Sequence, residues 1–303
     1  MTKLKTWIAA ARLRTLPLSV AGILMGTALA IQRGFFDADI FILALLTTLG
    51  LQILSNFAND YGDGIKGTDN HERVGPMRAL QSGIITHQEM KIGMIITSVI
   101  TLIFAIALIY AAFGKDNFLF SLIFFLLGIS ALAASIKYTV GKSAYGYRGL
   151  GDLFVFLFFG LLSVIGSYIL YTEAFWFPSV LQAISIGLLS TAVLNLNNMR
   201  DRISDKNAGK NTLVVKLGAK RAKNYHYSLI VIAAISALVY IVLVQNWWLT
   251  ISLLAFIPLF IHLKKVSKTK DPATLDPELK KVAISTFLYA VLFLIISTLA
   301  GGI

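Results

Sequence analysis

Two clusters of amides and carboxylates interrupt a chain otherwise suited to hydrocarbon. The first reads Asn56-Phe57-Ala58-Asn59-Asp60-Tyr61-Gly62-Asp63, and the second Asn197-Asn198-Met199-Arg200-Asp201-Arg202-Ile203-Ser204-Asp205. Asn59 and Asp63 recur as Asn197 and Asp201 at the same i, i+4 spacing, with Asp205 one turn further, so each set lies along one helical face. Acidic groups at the ends of apolar segments are disfavoured by the nearby hydrocarbon and, at helix C-termini, by the negative end of the macrodipole. Something cationic should compensate them. Asn59, Asp63, Asp201 and Asp205 suit Mg2+, which takes oxygen ligands, keeps waters, and is typically held by one or two carboxylates plus substrate phosphates. Carboxylates repel a diphosphate, so divalent ions would bridge the two, assisted by Lys or Arg donors. In a lipid-embedded site the natural diphosphate carries a hydrocarbon tail, and ionising its allylic C–O bond leaves a carbocation that aromatic faces can stabilise. Helix capping alone would explain one such cluster more readily than two matched ones.

The elements that position these residues follow from composition. The chain has 303 residues, is 57% hydrophobic and 14% charged, and carries repeated uncharged runs of bilayer-spanning length. This predicts an all-α polytopic membrane protein: one transmembrane domain over 1–303, with helices around a central cavity and two cytoplasmic cap loops. A β-barrel is excluded by continuous apolar runs without period-two alternation. The absence of Cys removes disulfides, thiolate nucleophiles and Cys-based metal sites. Nine spans are expected, near 16–32, 39–58, 91–113, 117–136, 152–171, 175–197, 224–244, 247–263 and 282–300. With this topology 25 of the 27 Lys and Arg fall on one side, leaving Arg33 and Lys115 on the other, which assigns a cytoplasmic N-terminus. The net charge of +12 then reflects topology and anionic lipid headgroups, and nucleic acid is an unnecessary partner.

The loops after spans two and six are expected to run for some 25 to 30 residues, longer than ordinary connections and therefore candidates for function. Each follows an acidic cluster, and four spans separate the copies, consistent with an ancient parallel repeat. Arg78, Lys137 and Arg148 lie on the same side as the clusters and are candidates for binding phosphate oxygens. Asp152 has the position of an N-cap. Phe154, Phe156, Phe158 and Phe159 read as packing residues, and His71, His87, His226 and His262 form no ligand spacing and read as interfacial.

With these residues in place the chain resembles the UbiA superfamily of intramembrane aromatic prenyltransferases, whose motifs read N-x-x-x-D-x-x-x-D and D-x-x-x-D. Asn59 and Asp63 match the first motif, Asp201 and Asp205 the second. Gly67 stands in the third place of motif one, which leaves Asp60 or Asp69 for that role. Within the family it is most similar to members that prenylate 1,4-dihydroxy-2-naphthoate in menaquinone biosynthesis, through Asn59 to Asp63, Lys66 to Asp69, Gly75-Pro76-Met77-Arg78, Tyr138 to Gly141, and Gly149-Leu150-Gly151-Asp152. The resemblance implies Mg2+-assisted transfer of a polyprenyl group from its diphosphate to the naphthoate ring, with loss of the carboxylate, in a bacterial cell membrane. It implies Asn59, Asp63, Asp201 and Asp205 at magnesium, Asp60 in support, Arg78, Lys137 and Arg148 at diphosphate or carboxylate, and Tyr138 beside the cation. Two other readings stay open. One is a different acceptor such as 4-hydroxybenzoate; the other is an ion-coupled transporter, which would place its ionisable residues nearer the midplane.

Overall fold

A computed structural model describes residues 2–68 and 77–301; Asp69, His71, Gly75 and Pro76 of the sequence reading lie outside the described residues. Among the described residues there are helices and no strands. The short α1 (Lys3–Ala11) precedes α2 (Leu16–Ile31), followed by α3 (Ala38–Ile65), α4 (His87–Phe113), α5 (Phe118–Lys137), α6 (Gly151–Thr172) and α7 (Ser179–Arg200). A short α8 (Arg202–Asn207) leads to α9 (Leu213–Val244), α10 (Trp247–Lys268) and α11 (Pro272–Ala300). Eight of these helices are long and apolar enough to cross a membrane, and nine when the bent α1–α2 pair counts as one span. The chain is a multi-pass membrane protein.

Local chemistry sets several boundaries. Asp37 caps α3 by accepting from the amides of Asp39 and Ile40 at 2.8 and 3.1 Å. Thr86 and Glu89 form a reciprocal capping box that starts α4. Helix–helix contact depends on small residues: a Cβ built on Gly160 would lie 2.6 Å from Gly187 Cα and 2.7 Å from Ala183 O, and one on Gly22 would lie 2.2 Å from Ser163 Oγ. Such close approach gives packing contact that larger side chains prevent. Between Phe156 and Gly166, α6 widens into π-helical turns, an uncommon geometry often found at functional sites.

The structure changes three details of the sequence reading. First, α3 runs on through Asn59 and Asp63 to Ile65, and α9 begins at Leu213, so the second cap is much shorter than expected and contains α8. Hydropathy stops reading a helix where charge begins, although helices continue freely into the interface. Second, His226 and His262 are fully buried, sharing a hydrogen bond between their Nε2 atoms at 2.8 Å. Nδ1 of His262 contacts buried Glu278, whose other oxygen takes Lys281 and Lys265 at 3.0 and 3.2 Å. Three helices separated in sequence converge there, which linear spacing could not show. Third, Leu150, not Asp152, stands at the N-cap of α6, and Asp152 is buried near Tyr225 of α9.

Candidate functional site

A cavity of about 910 Å³ extends through the bundle between α2, α3, α4, α5, α6 and α7. Its liners on α3 run from Ala44 to Asp63, which at 1.5 Å per helical residue is roughly 28 Å, nearly the thickness of a hydrocarbon core. One end is polar, with Asn59, Asp60, Asp63, Arg78, Asn197, Arg200 and Lys210; the remainder is mainly apolar, reaching Ile23, Leu108 and Leu170. Such a shape suits a ligand with a charged head and a hydrocarbon tail.

The polar end is built from pairs. Asp60, almost completely buried, contacts the guanidinium of Arg12, receives Arg78 Nη1 at 3.1 Å, and accepts from the Ala79 amide at 3.2 Å. Arg12 reaches it because the chain turns there with φ 50°, between α1 and α2. Asp63 accepts from the Tyr147 hydroxyl at 2.7 Å, and that hydroxyl also meets Thr68 Oγ1 at 2.6 Å. Asn59 accepts from Thr139 Oγ1 at 3.3 Å. Gly67, in the third place of motif one, adopts φ 69° just beyond α3, a left-handed conformation that favours glycine.

In the second motif Arg200 donates two hydrogen bonds to Asp201, from Nε at 2.8 Å and Nη2 at 2.6 Å, and it also pairs with Asp276. Lys210 Nζ lies 3.7 Å from Asp205 Oδ1. Burial disfavours the Lys210 ammonium, but Asp63 and Asp205 beside it outweigh that cost and raise its pKa above the ordinary lysine value. Lys210 thus joins the two motifs electrostatically. Lys66 stands 3.8 Å above the Tyr147 ring and donates to Thr139 O at 2.7 Å. Burial lowers its pKa, against the opposing pull of Asp63, and Lys210 lowers it further.

Aromatic side chains form the wall beside this charged end. Tyr145 stacks on Phe154 at 3.9 Å, meets Tyr138 edge-on at 5.3 Å, and Phe154 stacks on Phe158 at 6.1 Å. Phe154, Phe158 and Phe159 line the cavity, so three of the four phenylalanines read as packing residues face the open space. Tyr138, at the end of α5, is pushed up to about 12, first by burial and then by Asp152, Asp63 and Asp205, against Lys210; it is a neutral phenol at physiological pH.

Residues 19–277 match the UbiA prenyltransferase family. The chain belongs to that family. It is 42% identical over 297 residues to a 1,4-dihydroxy-2-naphthoate octaprenyltransferase of Escherichia coli, covering 97% of this chain and 96% of the relative. The Haemophilus influenzae protein of the same name is 43% identical over 295 residues, with 96% and 95% covered. Among solved structures, a UbiA homolog from Archaeoglobus fulgidus bound to GPP and Mg2+ superposes with a TM-score of 0.65 at 16% identity, over 97% of this chain and 100% of that one. That likeness is one of fold.

Within this UbiA fold the residues singled out from sequence divide clearly. Asn59, Asp60, Asp63, Arg78 and Tyr138 line the cavity. Asp201 and Asp205 are buried behind it, and their motif faces the space through Asn197, Arg200 and Lys210. Lys137 and Arg148 are exposed and stand outside the lining. Arg12, Tyr147, Arg200 and Lys210 were not assigned from sequence. Lys210 follows the second motif at Asp205 + 5 in a glycine-bearing turn, a signal that could have found it; the reach of Arg12 and Tyr147 to motif one depends on tertiary folding. Among the described residues no group of three or more acidic or histidine side chains is close enough to hold a metal unaided. The donors at the polar end are oxygens, and an ammonium already sits against Asp63 and Asp205 where positive charge is favoured. This chemistry fits Mg2+ shared between one or two carboxylates and a ligand's phosphates.

Proposed function

We propose that the protein transfers a polyprenyl group from polyprenyl diphosphate to 1,4-dihydroxy-2-naphthoate, with decarboxylation, giving demethylmenaquinol, the reduced form of demethylmenaquinone. The observation that carries this reading is the cavity's division into a head of paired carboxylates and cations and a long apolar body, in a chain 42–43% identical over nearly its full length to naphthoate octaprenyltransferases. Asn59, Asp63, Asp201 and Asp205 would hold Mg2+, which supplies charge neutralisation for the departing diphosphate. Arg78 and Lys210 offer donors to phosphate oxygens, and Asp60 keeps the Arg12 and Arg78 guanidiniums in place. Lys137 and Arg148, exposed and outside the lining, would serve at most in first capture of the anion. The Tyr138, Tyr145, Phe154 and Phe158 faces border the position of the allylic carbon, excluding water while presenting electron-rich rings to developing positive charge. The naphthoate ring carbon attacks that carbon; the C–O bond to diphosphate breaks, the new C–C bond forms, and CO2 leaves from the carbon that bore the carboxylate.

The Lys and Arg distribution supports a cytoplasmic N-terminus and a cytoplasmic polar end. The deciding experiment gives detergent-purified protein 1,4-dihydroxy-2-naphthoate and a polyprenyl diphosphate, with Mg2+ or a chelator, and reads products by mass spectrometry. A Mg2+-dependent prenylated naphthoquinol lacking the carboxylate is expected. Product from 4-hydroxybenzoate alone would redirect the acceptor, and ion-coupled uptake by proteoliposomes with no product would replace the enzyme reading by a transporter.

A further inference from the structure

Glycine inside a helix costs about 1 kcal/mol relative to alanine, so its presence there calls for a physical reason. Nearly every described glycine supplies one. Gly34, Gly67, Gly83, Gly114, Gly141, Gly149, Gly209 and Gly218 have positive φ. Gly22, Gly26, Gly50, Gly160 and Gly187, within the spans, would drive a Cβ to 3.0 Å or closer to a neighbouring helix. Gly128, in the middle of α5, has neither: its φ is ordinary, and a Cβ built on it meets nothing within 4 Å. It does line the cavity, on the face that carries Phe124, Leu127, Ala131, Ala134, Ser135 and, at the polar end, Tyr138. The open space at Gly128 is cavity space.

We infer that Gly128 gives passage to the prenyl tail and so sets which chain lengths the protein accepts, an assignment that rests on the prenyl-transfer reading above. Ten residues separate Gly128 from Tyr138, roughly 15 Å along the helix axis. An extended isoprenoid unit of four backbone bonds advances roughly 5 Å, given C–C bonds of about 1.5 Å. With the reacting carbon at the level of Tyr138, Gly128 therefore flanks the third unit of the tail. A ten-carbon chain ends short of it. Chains of twenty carbons or more must pass it, and the cavity continues beyond to Phe124, Leu108 and Leu170. The opening is specific to a slender apolar ligand, since the surrounding liners at this depth carry no charge.

The test is a chain-length series with Gly128→Phe and, as a milder variant, Gly128→Ala, using geranyl, geranylgeranyl and octaprenyl diphosphates. Gly128→Phe is expected to keep geranyl transfer within about threefold of the parent protein and to lose tenfold or more in kcat/KM for the two longer donors; Gly128→Ala should stay near the parent for all three. Equal loss at every length, or no loss at any, would overturn the assignment. Thermal stabilisation of the folded protein by each diphosphate, measured without acceptor, separates the tail path from the chemistry. In the parent protein stabilisation should grow with chain length, and in Gly128→Phe it should stop growing beyond geranyl; parallel growth in both overturns the assignment. If the parent protein forms no prenylated product, the reaction reading falls, while the stabilisation series still decides where the tail lies.

Discussion

Replacing Lys210 by Met removes an ammonium and keeps an unbranched stem of similar length, so it isolates the charge that joins the two acidic motifs. At 3.7 Å from Asp205 and an effective dielectric of 20, the attraction is about 4.5 kcal/mol before the cost of burying the ammonium. Breaking a buried ion pair generally costs about 3–5 kcal/mol. Asp205 has further partners, so the lower figure applies, and about 3 kcal/mol corresponds to a fall in Tm of roughly 6 °C for a chain of this size. The variant should also respond to metal differently. With Lys210 gone, Asp63 and Asp205 lack its ammonium, and Mg2+ at a hundredfold above its Kd should restore about 2.7 kcal/mol. In the parent protein the ammonium competes for the same oxygens, so the metal shift should be smaller. The assay is thermal unfolding in detergent or nanodiscs, with chelator and along a Mg2+ titration. The pH sign is fixed: a raised lysine pKa contributes stability fully present below the unfolded value near 10.5 and lost only as pH rises through the higher folded value. Between pH 6 and 9 this contribution should stay constant. An unchanged Tm in chelator, or identical Mg2+ shifts for both proteins, would refute the reasoning.

Asp63→Asn and Asp201→Asn should each lower turnover by at least a hundredfold while the protein still inserts and elutes as a folded species; retained activity in either would remove that residue from the metal set. Gly160→Leu should destabilise by about 1–3 kcal/mol or prevent folding, because α6 and α7 touch backbone to backbone at Gly187, and chromatographic yield with Tm measures it. Lys66, whose lowered pKa leaves more free amine than an ordinary lysine as pH rises toward 10, should be acylated ahead of other exposed lysines at pH 9; mass-spectrometric labelling that ranks it among the slowest would contradict its environment. Glu278→Gln should lower Tm by loosening the contact with His262, Lys265 and Lys281, without changing KM for either substrate, since that cluster lies outside the cavity lining.

The spans and the two motifs were legible because both are local: twenty apolar residues declare a helix, and i, i+4 spacing declares a face. The pairing partners were not. Arg12 is 48 residues from Asp60, and Tyr147 is 84 from Asp63, and only the folded bundle brings them within hydrogen-bond reach. The same limit made His226 and His262 look like unrelated interfacial residues and hid their link through Glu278. Lys137 and Arg148 illustrate the converse. Sharing a membrane side with the motifs does not bring a side chain to them, and both are exposed outside the cavity lining.

The arrangement of charge has a consequence for how the polar end can work. Asp60, Asp63, Asp201 and Asp205 are each buried, and the partners of three of them include the chain's own cations: Arg12 and Arg78 at Asp60, Arg200 at Asp201, Lys210 at Asp205. Asp63 instead has a neutral phenol as its hydrogen-bond donor, with Lys210 nearby. A divalent ion entering alone would face cations already in place. An ion arriving with a diphosphate brings anionic oxygens that can take over Lys210, Arg78 and Arg200, leaving carboxylates for the metal. On the proposed reading, joint binding of metal and diphosphate should therefore be favoured over binding of either alone. Diphosphate affinity should rise with Mg2+ and metal affinity with diphosphate by the same factor, as linkage requires. Calorimetric titration of each in the presence and absence of the other measures that factor, and a value of one would mean that the carboxylates and cations act as independent sites.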